Sequence, residues 1–171
     1  MAEIKVKLAE MRFSNKKDDN IIAHGLGACI ALAIFDPTTY LGGLIHIVMP
    51  SSDVQNHSDH PTRFADTGIP LFLKEFMQRG GNFAACKIVI AGGASIPSNS
   101  IFNIGDQNVV AVKKALSKFN LSVTAEDILV KPSSGRMSTV FLSIGDDERH
   151  FMPARPSPPA PRSRRRKKSS T

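Results

Sequence analysis

The chain has 171 residues, 42% of them hydrophobic, which suits one domain with a substantial core. No apolar run approaches the roughly 20 residues that a membrane-spanning helix needs, and the N-terminus lacks a signal-peptide pattern, so we expect a soluble, cytoplasmic protein. Seven basic and no acidic residues follow Phe151, whereas the preceding chain balances 15 basic against 15 acidic residues. The net charge of +7 therefore belongs to the tail, and the body is not a basic nucleic-acid-binding domain.

The first part of the chain is predicted to form β-structure. Partial alternation of apolar residues predicts a first strand over residues 4–13, and a polar loop follows over 14–20. Apolar runs predict two buried strands, over 29–35 and 41–49, joined by a turn at 36–39.

The second part is predicted to alternate helices and strands after a long polar loop over residues 51–65. Asp66 and Thr67 are expected to cap a helix that runs to about Arg79 and stops at Gly80-Gly81. A second amphipathic helix is predicted over 109–119. Further strands are predicted over 88–91, ended by Gly92-Gly93, and over 128–130 and 139–144.

Domain organisation follows from a change in composition near residue 153. Residues 1–152 are predicted to form one domain, whereas 153–171 are rich in Pro, Arg and Ser. The tail cannot bury enough apolar surface to offset the entropy of ordering it, so we expect it to be disordered. Its charge would attract nucleic acid or an anionic membrane surface, but a solvated extension is the simpler interpretation.

The cysteines and histidines do not form a recognisable metal motif. Cys29 and Cys86 are expected to be free thiols, and Cys86 to be structural. His57-Ser58-Asp59-His60 is interpreted as a polar loop, because its short spacing lacks further ligands. No cofactor is implied.

One thiol and one imidazole form the most specific pattern of the chain. Cys29 ends the glycine-rich segment Gly25-Leu26-Gly27-Ala28, and His46 follows seventeen residues later. A two-residue hairpin loop at Pro37-Thr38 would place Cys29 directly opposite His46, with Cβ atoms about 4.5–5.5 Å apart. A four-residue loop shifts the partner by two positions and keeps one face, whereas a three-residue loop separates the two side chains.

This pairing is what nucleophilic acyl chemistry requires. An adjacent imidazole can deprotonate the thiol and return the proton to a leaving group. The backbone N–H groups of Gly27, Ala28 and Cys29 are candidates for an oxyanion hole. The other interpretation remains open: a cysteine in an apolar strand is often a small hydrophobe, and a buried histidine is often a core polar group.

Several motifs in order resemble the chemoreceptor glutamine deamidase family, CheD, over roughly residues 20–145. Leu26-Gly27-Ala28-Cys29 resembles the nucleophile motif, with Ala for Ser, and Gly43-Leu44-Ile45-His46 with the following Ile47-Val48-Met49-Pro50 resembles the histidine motif. Downstream, similar segments lie at 63–67, 87–94 and 103–108.

The resemblance implies a fold and a function. The implied fold is α/β of the α+β type, a layered sandwich of mixed β-sheets with two main helices packed outside, similar to deamidating bacterial toxins. The implied activity is conversion of glutamine side chains on chemoreceptor cytoplasmic helices to glutamate and ammonia through a Cys29 thioester, with His46 as base. Some family members also hydrolyse methyl esters, and several bind a CheC-type phosphatase. Gly92, Gly93 and Asn108 are candidates for the border of the substrate groove.

Two departures from the family pattern set up an alternative. The family usually carries a threonine six residues before the cysteine, where it orients the histidine, and this chain has Ala23 there. His24 is adjacent but would lie on the other face of a strand. The segment 131–136 near the family's C-terminal arginine is also altered. The alternative is a weak or inactive module that binds a CheC-type phosphatase or a receptor.

Overall fold

A computed structural model describes residues 2–54, 60–95, 103–130, 138–144 and 151–153. The described chain contains nine strands and two α-helices in the order β1 (Glu3–Val6), β2 (Met11–Ser14), β3 (Asn20–Leu26), β4 (Ile30–Asp36), β5 (Leu41–Ile47), α1 (Ala65–Gln78), β6 (Lys87–Ser95), α2 (Ile104–Ser117), β7 (Ala125–Val130), β8 (Ser138–Ser143) and β9 (Phe151–Pro153).

The strands form two mixed sheets. The four-stranded sheet has the order β1-β3-β8-β9, and the five-stranded sheet has the order β2-β5-β4-β6-β7. The pairs β1–β3 and β6–β7 are parallel, and the other pairs are antiparallel. The expected α+β architecture of mixed sheets and two helices is therefore confirmed.

The five-stranded sheet is the middle layer of the molecule. In β4, Ile30, Leu32 and Ile34 join a core cluster with residues of both helices. The intervening Ala31, Ala33 and Phe35 join a second cluster with residues of β3 and β8, so they face the other sheet. Burial on both faces explains why β4 is apolar from Ile30 to Phe35 instead of alternating with polar residues.

Several strand predictions are corrected by the structure. Residues 4–13 do not form one strand, because the chain turns between β1 and β2, with Ala9 at a φ of 59°. The two strands then enter different sheets. Strand β3 was not predicted, although it is an inner strand of its sheet. Strand β6 does not end at Gly92-Gly93 but continues through them to Ser95.

Both predicted helices exist, but their first turns differ from expectation. Helix α1 has Phe64 at its N-cap, and no side chain caps it there. Asp66 instead accepts hydrogen bonds from Ser52, at 3.0 Å from the main-chain N and 2.8 Å from Oγ. The predicted stop is confirmed, since Gly80 has a φ of +95° directly after the helix. Helix α2 begins at Ile104 rather than at 109.

The described residues cover only part of what the sequence predicts about membranes and the tail. In the part of the chain that the structure describes, no helix is both long and apolar enough to cross a membrane. The tail from residue 154 onward lies outside the described residues, as do residues 57–59 and 131–136. The domain boundary near 152 and the disorder of the tail therefore stay predictions.

Candidate active site

The β4–β5 hairpin sets the relation between Cys29 and His46. Asp36 pairs with Leu41, so the loop contains residues 37–40 and the two-residue loop is wrong. Asp36 stabilises this turn by accepting hydrogen bonds from the main-chain N of Thr38 at 2.8 Å and from its Oγ1 at 2.6 Å. The loop that forms has four residues, which is the alternative that keeps the side chains of Cys29 and His46 on one face.

The observed register makes Cys29 and His46 diagonal neighbours instead of directly opposed residues. His46 pairs with Ala31, and Cys29 precedes Ala31 by two residues. Ala31 and Leu44 belong to the cluster between the sheets, so His46, two residues after Leu44, lies on that same face. Alternation extended from Ala31 puts Cys29 on this face too, at a diagonal separation of about 7–8 Å.

His46 is held firmly by its main chain but not by its side chain. Its N–H donates to the Glu10 carbonyl at 3.0 Å, and its carbonyl accepts from the Ala9 N–H at 3.0 Å. Its side chain is buried, and neither ring nitrogen has a hydrogen-bond partner among the described residues, Cys29 included. Burial lowers the pKa of His46, and the main chain of Val6, which interacts with the ring without reaching good hydrogen-bond geometry, opposes this only partly. The imidazole is therefore neutral near pH 7.

Cys29 is a free, partly exposed thiol directly before β4. Burial raises its pKa, and the positive charge of Arg63 and the thiol's own backbone N–H oppose that rise. The resting pair is accordingly a neutral thiol and a neutral imidazole without a direct hydrogen bond. Catalytic hydrogen bonds in unliganded sites are often long and tighten when substrate binds.

Strand β6 holds the main chain of residues 27–29 through hydrogen bonds. The Cys29 carbonyl accepts a hydrogen bond from the Gly93 N–H at 2.9 Å, and the Gly27 carbonyl accepts one from Ala94 at 2.9 Å. Gly92 has a φ of +101°, and a Cβ there would lie 2.1 Å from the Cys29 carbonyl oxygen. Only glycine fits this position. Gly92 and Gly93 are buried, and their place at the border of a groove stays a prediction.

Asn108 joins the two strand ends that carry Cys29 and His46. From α2, its Nδ2 donates to the Ala28 carbonyl at 2.9 Å and to the Val48 carbonyl at 3.1 Å. Its side chain is fully buried, and its Oδ1 has no hydrogen-bond partner among the described residues. Asn108 thus ties the residue before the nucleophile to the end of β5.

The glycine-rich bend leaves space beside the thiol. Gly25 has a φ of +74°, which a glycine adopts without strain. A Cβ on Gly27 would meet nothing within 4 Å. No hydrogen bond between described residues uses the Ala28 N–H. These features suit the predicted oxyanion hole at Gly27, Ala28 and Cys29, which stays a prediction.

Position 23 lies in the core layer that also contains the His46 side chain. Ala23 is fully buried between the sheets and pairs with Val6 of β1, whereas His24 is exposed, as strand alternation requires. Position 23 therefore presents a methyl group, not a hydroxyl, to the layer in which the imidazole lies.

Arg63 belongs to this site, although the sequence reading treated it only as part of a motif. A parallel bridge between Met49 and Phe64 brings the turn before α1 alongside the end of β5. The Arg63 carbonyl accepts hydrogen bonds from the N–H groups of Val48 at 3.0 Å and Met49 at 3.1 Å. Sequence carries no signal for this contact, because it depends on how a loop closes.

No metal centre is suggested by the described part of the chain, which contains no group of three or more His, Cys, Asp or Glu side chains able to hold an ion. Of the polar segment 57–60, only His60 is described, and it is exposed. The interpretation of that segment as a polar loop therefore stays a prediction.

Known proteins similar to this chain share one description. Residues 48–146 match the family model described as CheD chemotactic sensory transduction; this match begins downstream of Cys29 and His46. The chain is 38% identical over 130 residues to the probable chemoreceptor glutamine deamidase CheD 1 of Syntrophus aciditrophicus, covering 74% of this chain and 81% of that protein. It is 36% identical over 158 residues to the probable chemoreceptor glutamine deamidase CheD of Clostridium botulinum, covering 85% and 97%. The hypothetical protein YfiH of Bacillus licheniformis aligns with a TM-score of 0.46 at 12% identity, over 70% of this chain and 49% of that one.

Proposed function

The chain belongs to the CheD family, and we propose that it is a chemoreceptor glutamine deamidase that uses Cys29 as its nucleophile and His46 as its base. The name shared by its relatives supports the reaction. The single structural observation that supports the assignment of residues is the hairpin register, in which His46 pairs with Ala31, two residues after Cys29. Strand alternation extended from Ala31 sets the Cys29 side chain on the same face as His46. The substrate is a glutamine side chain on a cytoplasmic helix of a chemoreceptor.

The first half of the reaction forms a thioester. As the Cys29 proton passes to a ring nitrogen of His46, Sγ bonds to the carboxamide carbon of the glutamine. The N–H groups of Ala28 and its neighbours stabilise the negative oxygen of the tetrahedral intermediate. His46 then protonates the amide nitrogen, the C–N bond breaks, and ammonia leaves.

The second half regenerates the enzyme. His46 takes a proton from water, whose oxygen attacks the thioester carbon. The C–S bond breaks, and the proton held by His46 returns to Sγ. The product carboxylic acid then loses its remaining proton to solvent, which leaves a glutamate carboxylate. Because both groups start neutral, the proton moves during the attack, and no thiolate–imidazolium pair needs to be formed in advance.

The test uses a chemoreceptor cytoplasmic fragment and mass spectrometry of its glutamine-containing peptides. We expect amide-to-acid conversion with the wild-type chain, none with Cys29→Ala, and full conversion with the matched variant Cys86→Ser. Cys86 is a suitable control because its pKa is raised to about 12, by burial first and by Asp36 second, so this thiol is inert. Conversion that survives Cys29→Ala would remove the proposal.

A second candidate function is supported by the unpartnered imidazole of His46 and the absence of a hydroxyl at Ala23. In this alternative, the chain is a docking module for a receptor or a CheC-type phosphatase, with little or no turnover. The test is a pull-down of a receptor fragment or of the phosphatase with the wild-type chain and with Cys29→Ala. Equal capture by both chains, together with no glutamine conversion by wild type, would favour this alternative.

A further inference from the structure

We propose that Thr62 is a positioning residue for His46: its hydroxyl holds a β-bulge that sets the direction of the imidazole. In taking His46 as the base, this inference rests on the proposed function. It assigns to the main chain the orientation of the ring that Ala23, which has no hydroxyl, does not provide.

The main chain of His46 lies opposite a β-bulge. The last pair of the β2–β5 ladder is Met11 with Ile45, and His46 follows it. The His46 N–H donates to the Glu10 carbonyl at 3.0 Å, and its carbonyl accepts from the Ala9 N–H at 3.0 Å. Two residues opposite one is the pattern of a bulge, and Ala9 has a left-handed φ of 59°, as the first residue of one bulge type does. Because a bulge redirects the side chains of its strand pair, this one sets how the His46 side chain leaves β5.

The hydroxyl of Thr62 holds this bulge. Thr62 Oγ1 donates to the Ala9 carbonyl, and the Ala9 N–H donates to the His46 carbonyl. A single residue therefore separates the hydroxyl from the main chain of the base. Ala9 has a backbone conformation that residues other than glycine seldom adopt, and such a conformation persists only where the surrounding contacts enforce it. The bond from Thr62 is such a contact.

The segment that carries Thr62 is itself packed tightly. Thr62 lies in the short turn Pro61–Arg63, directly before α1. A Cβ on Gly68 of α1 would lie 3.1 Å from the Thr62 Cα and 3.2 Å from the Ile47 side chain, so turn, helix and β5 are in close contact. The Arg63 carbonyl also accepts two N–H groups from the chain after β5, at 3.0 Å and 3.1 Å. Because the turn is fixed on two sides, its hydroxyl can hold the bulge in one position.

The described side chains around the imidazole give it no directional contact. Both ring nitrogens of His46 are buried and have no hydrogen-bond partner among the described residues. His46 pairs with Ala31, Ala31 pairs with Ala91, and Ala23 belongs to the same core layer. Methyl groups exclude water but neither donate nor accept a hydrogen bond. The direction of the ring therefore depends on the main chain of His46, which the bulge holds.

The first readout is the deamidation of a receptor cytoplasmic fragment by variants of two threonines. Thr62→Val removes the hydroxyl bonded to Ala9, and the matched control Thr67→Val removes a hydroxyl bonded to the Pro61 carbonyl at 2.6 Å. We expect kcat of Thr62→Val to fall about tenfold, because a displaced base slows the chemical step. KM should stay within about twofold of wild type, since substrate binding is not altered. Thr62→Ser, which keeps the hydroxyl, and Thr67→Val should both retain the wild-type kcat.

The second readout observes His46 without any turnover. The Cε1–H resonance of its ring is recorded by proton–carbon NMR and is assigned by its loss in His46→Gln. We expect this resonance to shift in Thr62→Val and to keep its wild-type position in Thr62→Ser and Thr67→Val. The resonance of the exposed His24 serves as the internal reference and should not move.

Each outcome bears on the inference. An unmoved His46 resonance in Thr62→Val overturns it, and so does a raised KM with an unchanged kcat in a chain that is active as wild type. Should Thr62→Val fail to fold because its methyl group crowds the Ala9 carbonyl, Thr62→Ala is judged by the same two readouts. A wild-type chain that converts no glutamine loses the proposed function, and the resonance alone then decides whether Thr62 positions His46.

Discussion

Replacing Asn108 tests whether one buried amide positions the nucleophile. Its Nδ2 bonds to the Ala28 and Val48 carbonyls, at 2.9 Å and 3.1 Å, are made inside the protein by a side chain with no exposed surface. Asn108→Ala removes both donors and leaves two carbonyl oxygens unpaired. Because each such bond contributes about 1 kcal/mol net, we expect a loss of about 2 kcal/mol in the free energy of unfolding. For a chain of this length, that lowers the melting temperature by about 4–8 °C.

The substitution is also expected to slow the reaction of Cys29, since the Ala28 carbonyl is one residue from the thiol. Asn108→Asp should destabilise at least as much, because it keeps the size of the side chain but points carboxylate oxygens at two carbonyl oxygens. Thr124→Val is the matched control: it deletes one side-chain bond to a main-chain amide, from Ile88 at 3.1 Å, on strand β6 away from Cys29.

The assay combines thermal unfolding with the iodoacetamide rate of Cys29 in a Cys86→Ser background. Thr124→Val should lose stability, by about 1 kcal/mol, without changing the alkylation rate. Two results refute the reasoning. One is an Asn108→Ala chain within about 0.5 kcal/mol of wild type, the range of ordinary surface substitutions. The other is an Asn108→Ala chain that is destabilised but alkylates at the wild-type rate.

Three further predictions follow from neighbouring residues. Gly92→Ala should lower the free energy of unfolding in urea by more than about 1 kcal/mol, because it strains a φ of +101° and puts a Cβ 2.1 Å from the Cys29 carbonyl oxygen. The control Gly27→Ala should not destabilise the chain, because its Cβ meets nothing within 4 Å. Equal urea midpoints for the two variants would contradict this prediction. Burial lowers the pKa of His46 in the folded chain, so on acidification the unfolded chain binds this proton at a higher pH than the folded chain does. The free energy of unfolding should therefore fall as the pH drops below about 6.5. The urea midpoint of His46→Gln should not show this fall, and a pH dependence equal to that of wild type would argue against a neutral buried ring. Ala23→Thr should raise the deamidation rate about tenfold, because the threonine hydroxyl would orient the imidazole of His46. The control Ala23→Val adds a side chain of the same shape without a hydroxyl and should not raise the rate. A faster rate in both variants would count against orientation of His46 by the hydroxyl.

The pattern of apolar residues predicted much of the sheet that carries the site. Runs over 29–35 and 41–49 correspond to β4 and β5, because strands buried on both faces are apolar throughout. Strand β3 was missed because His24 and Gly25 interrupt its apolar pattern. The first turn of α2 was missed because Gly105 is a weak helix former, yet a Cβ there would lie 2.1 Å from the Ala94 carbonyl oxygen. Close packing, not helix propensity, requires that glycine.

The family resemblance identifies Ala23 as the position where an orienting threonine is usual. Residue types and spacing alone determined the two reactive groups, a thiol after a glycine bend and an imidazole seventeen residues later. They also determined that an even-numbered loop keeps thiol and imidazole on one face, because side chains alternate along a strand. Only the tertiary structure decided that the loop has four residues, that β6 and Asn108 hold the segment around Cys29, and that the main chain of Arg63 lies beside the end of β5. These contacts join residues far apart in the chain, and such contacts depend on how sheets and helices pack, which no local pattern encodes.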